Sequence, residues 1–230
     1  MVLTNNRFTE CKEFQSWMDT KNSSLWLFGI PGAGKTIITS SAIEETLKRY
    51  RNGKAVAFYY CDYKNPATQD PMTMLGCIAS QLARQDQECL DKLKDYYELC
   101  NPEDGMPSLP DASRLEDLVQ EMATHFDEVA ILVDGLDECG KWTDHITNLL
   151  VRLVDSVPNM KTLLSSRDEP HIRDVLNECA QISIAARSSD LKLYVTAELE
   201  LRIRSNKLRI KSLQLREHIE ETLVNGAEGM

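Results

Sequence analysis

The side chains in this sequence best suited to chemistry fall in three short stretches, residues 29–36, 134–138 and 162–167. The first, Gly29-Ile30-Pro31-Gly32-Ala33-Gly34-Lys35-Thr36, satisfies the G-x-x-x-x-G-K-[ST] spacing. Three glycines and an alanine keep side chains off the loop, so its backbone N–H groups can turn inward around phosphate oxygens. A helix starting near Lys35 aims the positive end of its dipole at the same place. Lys35 adds a full charge near the β- and γ-phosphates, and the Thr36 hydroxyl can ligate Mg²⁺. A chain of this length meets the pattern by accident on the order of 1% of the time. A ligand-free glycine turn is therefore the weaker reading.

The second stretch follows the apolar run Ala130-Ile131-Leu132-Val133, which delivers Asp134 to a strand end. A carboxylate there can hold Mg²⁺ directly or through water. In many P-loop ATPases a glutamate directly follows that acid and polarises the attacking water, but here the position is Gly135. Asp137 and Glu138, a little further on, are the candidate bases, with Asp137 preferred. Either could instead cap the following helix or bind a metal-held water. In the third stretch Thr162-Leu163-Leu164 runs into Ser165-Ser166-Arg167. The Arg167 guanidinium, planar and permanently charged, suits contact with a γ-phosphate. The plainer alternative is a surface ion pair with Asp168 or Glu169.

Short apolar runs must place these groups. Leu25–Phe28, Ala55–Tyr60, Ala130–Val133, Thr162–Leu164 and Ile182–Ile184 read as five strands, mostly continuous rather than alternating, as befits strands covered on both faces. Helical spacing appears at Ile38, Ala42, Ile43 and Leu47; at Met72, Leu75, Ala79 and Leu82; at Leu115, Leu118, Val119, Met122 and Phe126; and at Trp142, Ile146, Leu149, Leu150, Leu153 and Val157. Residues 101–111, rich in proline and acid, read as a surface loop. Alternating strands and helices predict an α/β fold, a three-layer arrangement around a five-stranded, mostly parallel sheet. Ligands in such sheets lie at the carboxyl ends of strands. Gly29, Asp134 and Arg167 all fall just past such ends, hence on one rim. After residue 188 the strands stop, and two helical patterns follow, Leu191 to Ile203 and Leu215 to Leu223. The expected organisation is a lead-in helix within 1–22, the nucleotide-binding domain over 23–188, and a helical extension over 189–230.

The chain has 230 residues and a formal net charge of -10, which argues against broad binding to nucleic acid. Lys192, Arg202, Arg204, Lys207, Arg209, Lys211 and Arg216 do cluster near the end, but Glu198, Glu200, Glu217, Glu220 and Glu221 interleave with them, as on a solvated helix face. Seven cysteines without a Cys-x-x-Cys pair fit reduced thiols better than a disulfide framework or a zinc site. No apolar run reaches the roughly 18 residues that span a bilayer, and the N-terminus lacks a signal-peptide core. A cytoplasmic protein without a membrane partner is expected.

Taken together, Gly29–Thr36, Ile131-Leu-Val-Asp-Gly-Leu-Asp-Glu138 and Leu163-Leu-Ser-Ser-Arg167 resemble the NACHT group of signal-transduction NTPases, the STAND class. The glycine after the metal-side acid, with a further acid two residues on, carries most of the resemblance. The whole sequence is most similar to fungal NACHT proteins and to the nephrocystin-type N-terminal NTPase domain. Phe14-Gln-Ser-Trp17 and the end from Leu213 share that look. The resemblance implies Mg²⁺-ATP as ligand, slow hydrolysis, a γ-phosphate sensor at Arg167, and like subunits or other protein domains as partners. It also implies an effector region upstream and a winged helix, then ankyrin, WD or TPR repeats, downstream. None of those downstream parts is in the sequence, so a truncated product or an excised domain is expected.

Four functional readings follow. The main one is a nucleotide-dependent switch that hydrolyses ATP slowly, with Lys35 and Thr36 binding, Asp134 holding Mg²⁺, Asp137 positioning water and Arg167 sensing. The second keeps the site without the hydrolysis, as a structural ATP or ADP module. The third is a GTPase, formally allowed by Asp137-Glu-Cys-Gly140, although no Asn-Lys-x-Asp guanine-reading motif is present. The fourth, a small-molecule kinase, lacks recognisable lid arginines and an acceptor pocket.

Overall fold

The computed structural model describes residues 8–184, 188–205, 207–208, 210 and 212–226. Helix α1 (Lys12–Asp19) leads into β1 (Ser24–Phe28), and α2 (Lys35–Arg49) and β2 (Lys54–Tyr60) follow. Three helices come next: α3 (Pro71–Ala83), α4 (Gln87–Cys100) and α5 (Ala112–Ala123). Then β3 (Glu128–Asp134), α6 (Thr143–Ser156), β4 (Met160–Ser166), α7 (Pro170–Val175) and β5 (Ala180–Ser183) complete the α/β part. Helices α8 (Ser188–Arg204) and α9 (Leu213–Gly226) end the described chain.

The five strands form one sheet in the order β2-β3-β4-β1-β5, and every neighbouring pair is parallel. Side chains alternate across it, as the pleat requires. Leu25, Leu27, Val56, Ala130, Leu132 and Leu163 face a layer built from α1 and α2, with Phe14, Trp17, Ile38, Ala42 and Ile43. Trp26, Ala55, Ala57, Val129, Ile131, Val133 and Leu164 face the other way, onto α3, α5 and α6. This double cover explains why the central strands read as unbroken apolar runs: all seven residues of β3 and of β4 are buried. The result is the three-layer fold expected from the sequence.

Two helices were absent from the sequence reading. Helix α4 has a side-chain cap, Asp86 Oδ1 accepting from the Cys89 N–H at 3.0 Å, but buries only Cys89 and Cys100 fully. Its apolar positions, Cys89, Leu90, Leu93, Tyr96 and Cys100, do recur at helical spacing, and Leu90, Leu93 and Tyr96 pack half-buried against the core, so this stripe was present in the sequence. Helix α7 is six residues long, too short for a period to repeat. Smaller departures occur at element edges. Leu47, counted on the inner face of α2, is 44% exposed, and Trp142 stands in a 3₁₀ turn before α6 with 37% exposure. The loop 101–111 falls where expected. In the last helices Val195 and Leu199 are buried, and Arg216 of α9 reaches Glu200 of α8 at 3.0 Å. Arg209, Lys211 and the side chains of Leu191, Lys192 and Tyr194 lie outside the described residues.

Candidate functional site

The loop 29–36 joins β1 to α2 at the carboxyl end of the sheet. Its backbone turns left-handed at Gly32 (φ 79°) and at Gly34 (φ 87°), and a Cβ at either would meet nothing within 4 Å. The glycines thus shape a bare cradle rather than relieve a clash. Gly29 is different. A Cβ there would lie 2.3 Å from the Ile184 carbonyl oxygen, because the chain leaving β5 passes across the start of the loop. The Ile184 N–H donates to Phe28 O at 2.7 Å and fixes that crossing. Lys35 Nζ folds over the loop and donates to the carbonyls of Gly29 (2.9 Å) and Ile30 (3.1 Å). Burial pulls its ammonium below the usual lysine range. Arg167 pushes the same way, while Asp137, Asp134 and Glu138 favour the charge.

Asp134 ends β3 and is 5% exposed. Its Oδ1 accepts two hydroxyls, Thr39 Oγ1 at 3.1 Å and Ser165 Oγ. Ser165 Oγ in turn accepts from the Gly135 N–H at 3.2 Å. Strand β4 lies between β1 and β3, so its end supplies Ser165 and Arg167 to the space between cradle and acid. Sequence reasoning missed Thr39 and Ser165. The detectable signal was a hydroxyl one turn after Thr36 on the same helix face, and a polar residue at the end of a buried strand.

The glycine at 135 has a structural cause. Its φ is 77°, and a Cβ there would sit 3.0 Å from the Cys61 carbonyl oxygen. The chain then turns through a 3₁₀ segment, Leu136–Glu138, which carries Asp137 back toward β4. Asp137 Oδ1 accepts from the Arg167 N–H at 2.8 Å, and Oδ2 lies 3.0 Å from Arg167 Nε. The Asp137 side chain is 4% exposed and that of Arg167 46%, so the pair bridges the pocket wall and solvent. The ion pair of Arg167 is therefore with Asp137, not with Asp168 or Glu169. Asp168 pairs with Arg173, and Glu169 lies 3.4 Å from His171 Nε2. Glu138 Oε2 accepts from the Tyr63 N–H at 3.2 Å, which ties it to the loop after β2. Its oxygen serves the backbone there.

These groups enclose a cavity of ≈ 260 Å³ lined by Pro31, Gly32, Gly34, Lys35, Thr36, Asp134, Gly135, Asp137, Glu138, Ser165 and Arg167. Of the twelve residues expected to act, nine line it; Ile30 is 41% exposed beside it, and Gly29 and Ala33 support the loop. No group of three His, Cys, Asp or Glu able to hold a metal occurs among the described residues. A hard cation here would draw on Asp134, Thr36 and phosphate oxygens together, which suits Mg²⁺. A larger groove of ≈ 940 Å³ lies beside the amino-terminal ends of β1 and β5, between α1 and α6. Its lining mixes Lys12, Glu13, Asp155 and Glu178 with apolar side chains and converges on no reacting group.

The family described as nephrocystin 3, N-terminal, matches residues 4–167, well over half of the chain. The vegetative incompatibility protein HET-E-1 of Podospora anserina is 22% identical over 200 residues, covering 83% of this chain and 14% of that protein. The chain thus spans a small part of that relative's length. Among solved structures, Drosophila ORC bound to DNA superposes with a TM-score of 0.52 at 15% identity, over 91% of this chain and 50% of that one. The Walker-type ATPase PABY2304 of Pyrococcus abyssi gives 0.51 at 11% identity, over 94% of this chain and 60% of that one. Both likenesses are of fold. No described helix is long and apolar enough to cross a membrane. With the family match and the P-loop architecture both in place, the chain belongs to the nephrocystin 3 N-terminal family and is a NACHT-type P-loop NTPase-like domain.

Proposed function

We propose that this domain binds Mg²⁺-ATP at the 29–36 loop and acts as a nucleotide-dependent switch with slow hydrolysis. One observation carries the reading: Lys35, Thr36, Asp134, Asp137 and Arg167, drawn from three separate stretches of chain, line a single cavity. Lys35 has its donors turned onto the loop carbonyls and needs only a side-chain rotation to reach a phosphate. Thr36 and Asp134 supply the oxygens for the cation. When bound, Mg²⁺ would neutralise charge on the β- and γ-phosphates. Arg167 holds both Asp137 oxygens. A γ-phosphate would compete for the guanidinium and free Asp137 Oδ2 to orient a water, while the Arg167 N–H keeps Oδ1 in place. The differential contact is what a ligand needs in order to shift a two-state equilibrium. Helices α8 and α9 form the extension whose docking such a shift would alter, and other domains or like subunits are the partners this implies.

Lys35→Ala tests the cradle. Affinity for a fluorescent ATP analogue should fall by at least tenfold with the thermal melt unchanged; retained affinity refutes the assignment. Competition by GTP in the same assay reports base preference.

The Arg167–Asp137 contact also favours a second reading, an ATP- or ADP-holding module without turnover, because the candidate base is already engaged. Single-turnover hydrolysis on the isolated chain separates the two. DNA appears in the description of the ORC structure, but that likeness extends to fold alone, and a net charge of -10 disfavours a phosphate-backbone partner.

A further inference from the structure

We propose that Thr39 and Ser165 are positioning residues that make Asp134 a one-oxygen metal acid, an inference that rests on reading Asp134 as the Mg²⁺-side carboxylate. Both hydroxyls converge on the same oxygen, Oδ1. Thr39 and Ser165 are fully buried and Asp134 nearly so, hence each polar group must find its partner inside the protein. The direction of the Ser165 bond follows from the proton count. Its Oγ accepts from the Gly135 N–H at 3.2 Å, and its single O–H is left for Asp134. Two charge-assisted bonds thus hold one carboxylate oxygen and fix the plane of the group. Oδ2 is the oxygen left for a cation.

The three residues come from α2, β4 and β3, which gives the arrangement its purpose. Thr36 and Thr39 are three apart on α2 and share a helix face. Thr39 therefore ties the helix that carries one metal ligand to the strand that carries the other. Ser165 ties that strand to β4, whose next turn carries Arg167. Spacing between Thr36 and Asp134 is set by these hydroxyls rather than by the cation. Mg²⁺ demands near-ideal octahedral geometry, so a preset spacing matters more for it than for a larger, more tolerant ion.

The test measures the affinity of a fluorescent ATP analogue across a Mg²⁺ titration, with an EDTA arm, for wild type, Asp134→Asn, Thr39→Val, Ser165→Ala and Thr39→Ser. Loss of groups that orient a metal ligand lowers metal affinity by about tenfold to a hundredfold. Thr39→Val and Ser165→Ala should raise the Mg²⁺ needed for half-maximal tightening by that factor, while their affinity in EDTA stays within about twofold of wild type. Thr39→Ser keeps the hydroxyl and should keep the wild-type Mg²⁺ requirement. An unchanged Mg²⁺ curve in both hydroxyl-deletion variants, with Asp134→Asn shifted, overturns the positioning role. An unshifted Asp134→Asn curve overturns the metal assignment itself. A variant that loses binding in EDTA is read through Thr39→Ser or Ser165→Thr, and a raised Mg²⁺ requirement in these conservative forms also counts against the proposal.

Discussion

At residue scale the ion pair between Asp137 and Arg167 is the contact on which the proposed hydrolysis would turn. Asp137→Asn keeps the shape and a hydrogen bond to the Arg167 N–H but removes the charge and the base. Analogue binding should persist while single-turnover hydrolysis falls by about 10²- to 10⁴-fold. A variant hydrolysing at the wild-type rate would exclude Asp137 from the chemistry. Gly135 gives a second prediction. A side chain there meets both a left-handed backbone and the Cys61 carbonyl at 3.0 Å. Gly135→Ala should cost at least about 1–2 kcal/mol in urea unfolding, the penalty for a non-glycine residue in that region. The glycine in Asp-Gly-Leu-Asp is thus a steric requirement of the turn.

The most consequential element contact lies at the opposite end of the strands. Lys161, fully buried in β4, donates to the carbonyls of Trp17 (2.9 Å) and Met18 (3.0 Å) at the end of α1, and lies 2.6 Å from Glu128 Oε1 in β3. Tyr50 donates to the same Glu128 oxygen, and Lys54 Nζ reaches the other at 3.0 Å. The lysine satisfies the last carbonyls of α1 and so docks the lead-in helix onto the sheet. Lys161→Met strips that cap and leaves Glu128 short of a cation. It should cost about 3–5 kcal/mol and raise amide exchange throughout α1. Amide protection in α1 equal to wild type would show that apolar packing alone holds the helix. Burial raises the pKa of Glu128, but hydrogen bonds from Lys161, Tyr50 and Lys54 outweigh it and hold the carboxyl below its usual range. Its stabilising contribution is full above the unfolded value, about 4.3, and is lost as pH falls through the lower folded one. Acid unfolding of Glu128→Gln should accordingly show a shallower loss of stability below about pH 4.3 than wild type.

For the whole molecule, the sheet order decides what can meet. With β4 between β1 and β3, the 29–36 loop, Arg167 and Asp134 arrive at one rim from adjacent strands. Much of this was legible in the amino-acid order. The glycine spacing of 29–36, the apolar runs and the residues that follow them are local properties, and parallel α/β topology places strand carboxyl ends together. Chain order alone therefore determined the layer architecture, the rim and the placement of Lys35, Thr36 and Asp134 on it. Helix α7 escaped because it is too short for a period to repeat, whereas α4 carries a legible stripe, Cys89, Leu90, Leu93, Tyr96 and Cys100, that the sequence reading did not include. The pairings within the rim were decided only in three dimensions. Arg167 has acids beside it at 168 and 169, yet it bonds Asp137, because the turn at Gly135 swings that acid across to β4. Thr39, Ser165 and Lys161 look like unremarkable polar residues until burial removes water and turns the first two to Asp134 and the third to Glu128 and the carbonyls of Trp17 and Met18. Which hydrogen bond a buried polar group makes depends on the distance between strands far apart in sequence, a quantity that no residue pattern encodes and that packing alone sets.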